Sequence, residues 1–231
     1  MGFEPIKKLK VAEQVVGAIR EAIVAGKYQE GDSLPSEREL ATQFGVNRSS
    51  IREAMLRLEA WGLVNIRQGG ATRVRDLFYG AGLQVLPFLI APNGKLDEDI
   101  VDDILPVRTM FLSWTAEIAA NAARPEHVQR LDEMVDELEA AKSTAEIQRL
   151  DFAFFEGLVL AGDNRVLGLF TRVLGDIVNK NEAHLRFLYP STRFDLRHHR
   201  ATVEAISAGD AKAAGAAMRA YGDSAHERRQ R

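Results

Sequence analysis

The 231-residue chain contains no cysteine, so disulfides and thiolate metal sites are excluded. It has no run of about 18 apolar residues, the length a membrane helix needs, and no membrane partner is expected. The opening stretch MGFEPIKKLK lacks the apolar centre of a secretion signal, so a cytoplasmic protein is the expectation. There is no nucleophile motif, phosphate-cradling loop or cofactor fingerprint, and neither an enzyme nor a cofactor is expected. Charge of one sign is also scarce: 30 Lys and Arg against 33 Asp and Glu leave −3. That near-balance hides an asymmetry. Residues 1–76 hold 12 basic and 10 acidic side chains and the remainder 18 and 23, so the two parts stand at +2 and −5. At 46% hydrophobic and 27% charged, the chain has the material for two ordinary globular domains.

What the chain does have is concentrated between residues 36 and 75. Ser36 followed by Glu39 is a capping box that starts a helix. Leu40, Ala41 and Phe44 share one face of it, the spacing of a buried stripe. Gly45 suits a left-handed C-cap, and Val46 plugs the turn. Asn47 caps a second helix with Ile51, Ala54, Met55 and Leu58 directed inward, ending near Gly62. Helix, glycine turn and longer helix make a helix-turn-helix. The second helix presents Asn47, Arg48, Ser49, Ser50 and Arg52 at its start, side chains that can donate to guanine edges and phosphates in a major groove. After Gly62 the pattern changes to Leu63–Ile66 and Thr72–Arg75 around Gly69-Gly70, a hairpin with a slim basic tip at Arg67. Upstream, Val11, Val15, Ile19 and Ile23 recur every four residues, so a first helix over about 8–26 buries one face.

Beyond residue 76 the texture differs. Residues 76–96 are too apolar for a free linker and read as one helix interrupted near Pro87, packed against the following domain. From about 97 onward every segment has helical periodicity: about 97–123 with Pro106 inside it, 125–141, 144–161, 164–188, 192–207 and 210–229. A break falls at Pro190-Ser191. Some six antiparallel helices with short loops make a bundle. The fold class expected is therefore mainly α, an N-terminal winged helix-turn-helix followed by an all-α ligand-sensing bundle. The domains expected are residues 1–76 for DNA binding, 77–96 as connector, and 97–231 for effector binding and dimerisation.

The order of these pieces resembles the GntR family of bacterial transcription regulators. LPSERELA at 34–41, VNRSSIREAMLRLEAWGLV at 46–64 and the glycine-bearing wing carry the resemblance. It implies that Arg38, Arg48, Ser49, Ser50, Arg52, Gln68 and Gly69 lie at double-stranded operator DNA, read by a homodimer. The second half resembles the FadR subfamily through VRT at 107–109, D..F.GL at 151–158, GDN..LGL at 162–169 and R.YG at 219–222. Most of that subfamily is expected to hold a metal with an aspartate and three histidines. Here Asp151 and His199 match two of those positions, while Phe155 and Tyr221 stand at the others, so no metal is expected. The departures point toward the acyl-CoA-responsive type, with Arg108, Asp151, Phe155, Arg186, His199 and Tyr221 as effector residues. The alternative is a small carboxylate or sugar acid, with or without metal. Asp151 and His199 also suit a plain ion pair in the bundle core, and Phe155 suits simple packing.

Overall fold

The structure, a computed structural model, describes residues 9–67, 69–189 and 195–229. Gln68, the break at Pro190-Ser191 and the start of the helix expected from 192 lie outside them. The chain divides into two compact units, residues 1–95 and 96–231. No helix among the described residues is long and apolar enough to cross a membrane.

The first unit is a three-helix core with a small wing. Helix α1 (Leu9–Val24) buries Ala12, Val15, Val16, Ile19 and Ile23. These residues meet Ile51, Met55 and Leu58 of α3 (Arg48–Ala60), which are fully buried. Helix α2 (Glu37–Phe44) starts at the expected capping box: the Ser36 side chain accepts from the Glu39 N–H, and the Glu39 carboxylate accepts from Ser36. Gly45 ends it at φ 64°, where a side chain would be strained. Phe44 does not join the core stripe. It is 38% exposed, the last residue of an eight-residue helix whose buried side chains are Leu40 and Ala41.

Strands β1 (Val64–Asn65) and β2 (Arg73–Val74) pair antiparallel, Val64 opposite Val74 and Asn65 opposite Arg73. The ladder is shorter than the sequence pattern suggests, yet its buried valines anchor it. Residues 77–95 do not form one broken helix. They make a 3-10 turn at Leu83–Val85, a single α turn at α4 (Leu86–Leu89) and a second 3-10 turn at Pro92–Gly94. This segment closes on the first unit, where the Phe88 ring stacks on Trp61 and the Arg20 guanidinium lies 3.5 Å from the centre of the Phe88 ring. Gly62 and Gly80 allow the return of the chain, because a Cβ on Gly62, already at φ 75°, would run into the Gly80 carbonyl.

The second unit is all helical. Its elements are α5 (Glu98–Ala122), α6 (Pro125–Ala140), α7 (Thr144–Ala161), α8 (Arg165–Lys180), α9 (Arg197–Ser207) and α10 (Ala211–Arg229). Helix α5 runs through Pro106 without interruption and lies along α10. The contact is close enough that a Cβ on Gly222 would strike Thr109. Helices α6 and α7 pair, α7 packs on α5, and α9 fills the gap between α5, α6 and α10. The helix expected to reach Leu188 ends at Lys180. A 3-10 turn at His184–Leu188 follows, and it delivers Tyr189 to the core.

Candidate nucleic-acid interface and effector site

At the start of α3 the Asn47 side-chain oxygen accepts from the Ser50 N–H at 2.8 Å and from the Ser50 hydroxyl at 3.1 Å. This cap aims the first turn and leaves Arg48, Ser49 and Arg52 exposed together. Their positions are those from which the N-terminal turn of a recognition helix reaches base edges. Ser50, expected at the DNA, is instead 8% exposed and spends its hydroxyl on the cap. Arg38 on α2, Arg67 and Gly69 at the wing are exposed, Gly69 at φ 72°. Arg73 braces the wing from outside by donating to the Gly31 carbonyl at 2.6 Å. Arg57, two turns further along α3, is held by Glu53 at 2.8 Å and Glu13 at 3.8 Å, so its charge is partly neutralised within the protein.

In the bundle, a polar cluster sits where apolar packing surrounds it. Asp151 on α7 is 6% exposed and His199 on α9 is fully buried. His199 Nε2 lies 2.9 Å from Asp151 Oδ1, and the Tyr189 hydroxyl donates to Oδ2 at 3.1 Å. An Arg108 terminal nitrogen lies 3.7 Å from Oδ2, and its guanidinium sits 5.2 Å from the centre of the Tyr221 ring. The His199 imidazole is flanked by Phe154 at 4.9 Å and Tyr221 at 4.6 Å between centroids. Burial alone would raise the Asp151 carboxyl, but the hydrogen bond and charge of His199, then Arg108 and Tyr221, outweigh it and hold the group below the usual carboxylate range. Burial and the neighbouring Asp151 push both the Tyr189 and Tyr221 hydroxyls up, so both stay protonated donors.

Five of the six expected effector residues are thereby accounted for in or beside this core. Phe155 is buried one turn beyond Asp151, its ring 6.0 Å from Phe152. Arg186 is the exception. It is exposed and pairs with Glu182 at 3.8 Å, because the 3-10 turn rotates Tyr189 inward and leaves Arg186 on the outer side. Two residues escaped the sequence reading. Tyr189 belongs to no periodic stretch and precedes a proline, so it reads as loop. Gln148 was legible in principle: it stands three residues before Asp151 and seven before Phe155, on the buried stripe of α7.

The donor set does not make a divalent metal site. Asp151 and His199 are bonded to each other, and Phe155 and Tyr221 occupy the positions where further imidazoles would be needed. Tight sites use three or more protein ligands. Unused hydrogen-bonding capacity remains at Arg108 and Gln148. One terminal nitrogen of Arg108, and both amide atoms of Gln148, are buried with no hydrogen-bond partner among the described residues. Burying such groups unpaired costs about 1–3 kcal/mol each.

Comparison with known proteins decides the family. Residues 11–74 match the bacterial regulatory proteins of the gntR family, and residues 103–224 match the FCD domain. The chain belongs to the GntR family. Among its relatives is the HTH-type transcriptional regulator Mce2R of Mycobacterium tuberculosis, 38% identical over 69% of this chain and 66% of Mce2R. Another HTH-type transcriptional regulator of Mycobacterium tuberculosis is 32% identical over 95% of this chain and 89% of its own length. The fatty acid metabolism regulator protein of Erwinia tasmaniensis is 31% identical over 76% of this chain and 72% of that protein. The solved structure of Lar, which controls expression of the Listeria monocytogenes agr system, shares the fold, with a TM-score of 0.58 at 15% identity over 99% of this chain and 98% of that one. A GntR helix-turn-helix followed by a helical FCD domain, as the chain has here, makes it a FadR-like transcription regulator with an effector-binding domain, and these relatives are regulators rather than enzymes.

Proposed function

We propose that the chain is a homodimeric operator-binding regulator whose FCD domain takes an organic acid with its carboxylate at Arg108. DNA is read by Arg48, Ser49 and Arg52 in the major groove, with Arg38 and the wing at Arg67 and Gly69 on the backbone or minor groove. The observation that carries the acid reading is the guanidinium of Arg108. Its side chain is 19% exposed, one terminal nitrogen leans on Asp151, and the other is unpartnered among the described residues. A carboxylate accepts from that N–H in a charge-assisted bond, the strongest kind a guanidinium makes. Of the two effectors expected from sequence, this favours the compact acid. Asp151, Tyr189 and Tyr221 put polar groups beside the guanidinium that an acyl chain gains nothing by meeting. A fatty acyl-CoA is the second reading, favoured by the likeness to a fatty acid metabolism regulator.

Dimerisation is proposed through α5 and α8. Val107, Met110 and Trp114 on α5, with Val166, Leu169 and Phe170 on α8, are each between 43% and 67% exposed. Phe111 joins the two rows at 6.1 Å from Phe170. Soluble monomers rarely leave so large an apolar face uncovered, and a second copy supplies the two-fold symmetry a palindromic operator requires. The effector acts by binding one dimer geometry better than another, since only differential affinity shifts such an equilibrium.

The test starts from full-length protein and a duplex recovered from a randomised DNA pool. Operator affinity is measured alone, with short alkanoates and 2-hydroxyalkanoates, and with palmitoyl-CoA. The expected outcome is a response to an acid that Arg108→Gln abolishes while affinity without ligand is unchanged. A response to palmitoyl-CoA alone sinks the compact-acid reading. In parallel, Trp114→Asp with Phe170→Asp is expected to give a monomer by light scattering, and an unchanged dimer would place the interface elsewhere.

A further inference from the structure

The wing is proposed to meet DNA at Arg67 and Gly69, yet its paired ladder stops short of both. The two strands end at Asn65 opposite Arg73. The returning arm has a second neighbour. Gly31 and Leu34 donate backbone N–H bonds to the Val74 and Thr72 carbonyls, and Val74 donates to the Asp32 carbonyl, each at 2.9 Å. Among the described residues no strand lies on the outer side of the rising arm. A short ladder held on one side only leaves its tip poorly fixed.

Glu59, in the last turn of α3, takes the place of that missing neighbour. Its carboxylate Oε1 accepts from the Ile66 N–H at 2.7 Å, and Ile66 is the residue before Arg67. A backbone N–H bonded to a carboxylate makes a charge-assisted bond, about twice as strong as a neutral one. Glu59 also acts through its backbone. Gly62 donates to the Glu59 carbonyl at 2.8 Å and Leu63 to the Leu58 carbonyl at 3.0 Å, with Gly62 at φ 75°, the bonding of a glycine-terminated helix. The carbonyl thus fixes how the chain leaves α3, and the carboxylate fixes where the rising arm stands. We infer that Glu59 is a positioning residue for DNA binding: it locks the wing to α3, so that Arg67 and the first turn of α3 meet the duplex as one body. An acid in the DNA-binding unit thereby raises operator affinity, against the repulsion its charge has for phosphates. The inference rests on the proposed wing contact and adds what aims it.

Operator affinity of the full-length protein is titrated against salt for the wild type, Glu59→Ala, Glu59→Gln, Glu59→Asp, Arg67→Ala and the double variant Glu59→Ala with Arg67→Ala. Arg67→Ala is expected to weaken binding and to reduce the slope of log K against log salt by about 0.9, the share of one phosphate contact. Glu59→Ala is expected to do the same, with affinity down by about tenfold, although it removes a negative charge. Charge removal acting alone raises affinity, so the two causes have opposite signs. Glutamine keeps an accepting oxygen at the same reach and should stay within about threefold of the wild type. Aspartate keeps the charge but draws the oxygen back by a methylene, and it should bind as weakly as alanine. It carries the test if alanine unfolds the domain. The double variant should lose no more than Arg67→Ala, because effects that run through one contact do not add. Unchanged or raised affinity in the alanine and aspartate variants, with Arg67→Ala still impaired, overturns the inference and leaves the wing contact standing. A glutamine variant as weak as alanine, or additive losses in the double variant, overturns it as well. Wild-type affinity for Arg67→Ala removes the wing contact and this inference together, which separates the two failures.

Discussion

The two units place their functional groups in opposite ways. In the first, the side chains proposed to read the major groove, Arg48, Ser49 and Arg52, are exposed, lie within a few residues of one another, and are aimed by a local device, the Asn47 cap. In the second, the polar groups are buried and come from five separate places in the chain: Arg108 from α5, Asp151 from α7, Tyr189 just after the 3-10 turn, His199 from α9 and Tyr221 from α10. The contrast shows two routes to a defined constellation. One uses backbone geometry over a single turn, and the other uses the packing of the whole bundle. It follows that damage to the two sites should appear in different measurements, affinity in one case and stability in the other.

The sharpest test of that contrast is Asp151→Asn. His199 and Arg108 then keep their burial and lose their carboxylate. Breaking one partner of a buried ion pair costs about 3–5 kcal/mol, and chemical denaturation should show a loss of that size for the second unit. The pH dependence follows from the direction of the Asp151 shift. The folded carboxyl is held below the unfolded value, so the unfolded chain takes up the proton first as the solution is acidified. The stabilisation is fully present above the unfolded pKa of about 3.9, and it is lost as pH falls through the lower folded value. The asparagine variant should lack that component of the acid transition. An unchanged acid slope would mean that Asp151 contributes no such linkage.

Next in size is the double substitution Arg48→Ala and Arg52→Ala. Each bidentate base contact is worth about 1–3 kcal/mol, and both side chains are exposed. Operator affinity should fall steeply while the melting temperature stays within error. Salt titration refines the reading. Loss of phosphate contacts lowers the slope of log K against log salt by about 0.9 per contact, and loss of base contacts leaves the slope alone and relaxes sequence preference. A loss of stability comparable to that of Asp151→Asn would break the distinction between the two units.

The same distinction explains what was legible in the sequence. Ser36 and Glu39, Gly45 and Asn47 act on neighbours three or four residues away, and the structure has each of them in the expected local role. Ser50 was misread because a serine at the start of a recognition helix suits both a base and a cap, and only burial separates the two. In the bundle, Asp151 and His199 were found through a family pattern; their pairing spans 48 positions, and no local periodicity reports it. Tyr189 was missed for the same reason, since its place depends on how the turn after α8 folds back. Arg186 is expected at the effector through the family likeness alone, which does not report which way a residue of a 3-10 turn faces. The break of residues 77–95 into short turns was likewise hidden, because an apolar run with one proline fits a helix and a packed coil equally well.

The smallest effect belongs to Asn47→Ala, and it is the one that joins the two kinds of measurement. Removing a cap side chain costs about 1 kcal/mol of stability, here by freeing the Ser50 N–H and hydroxyl from Asn47. The residue also orients the turn that carries Arg48 and Arg52. If the arginines depend on that orientation, operator affinity should fall by more than the roughly fivefold that 1 kcal/mol represents. Asn47→Asp and Asn47→Ser keep the accepting oxygen and should restore stability. The aspartate, however, brings a negative charge next to the phosphates, so it should restore stability without restoring affinity, while serine restores both. Recovery of affinity by aspartate would show that the accepting oxygen alone sets the turn and that position 47 lies too far from the phosphates for its charge to count, whereas an alanine variant of unchanged affinity would show that the first turn of α3 is held by packing, as the buried cluster of the bundle is.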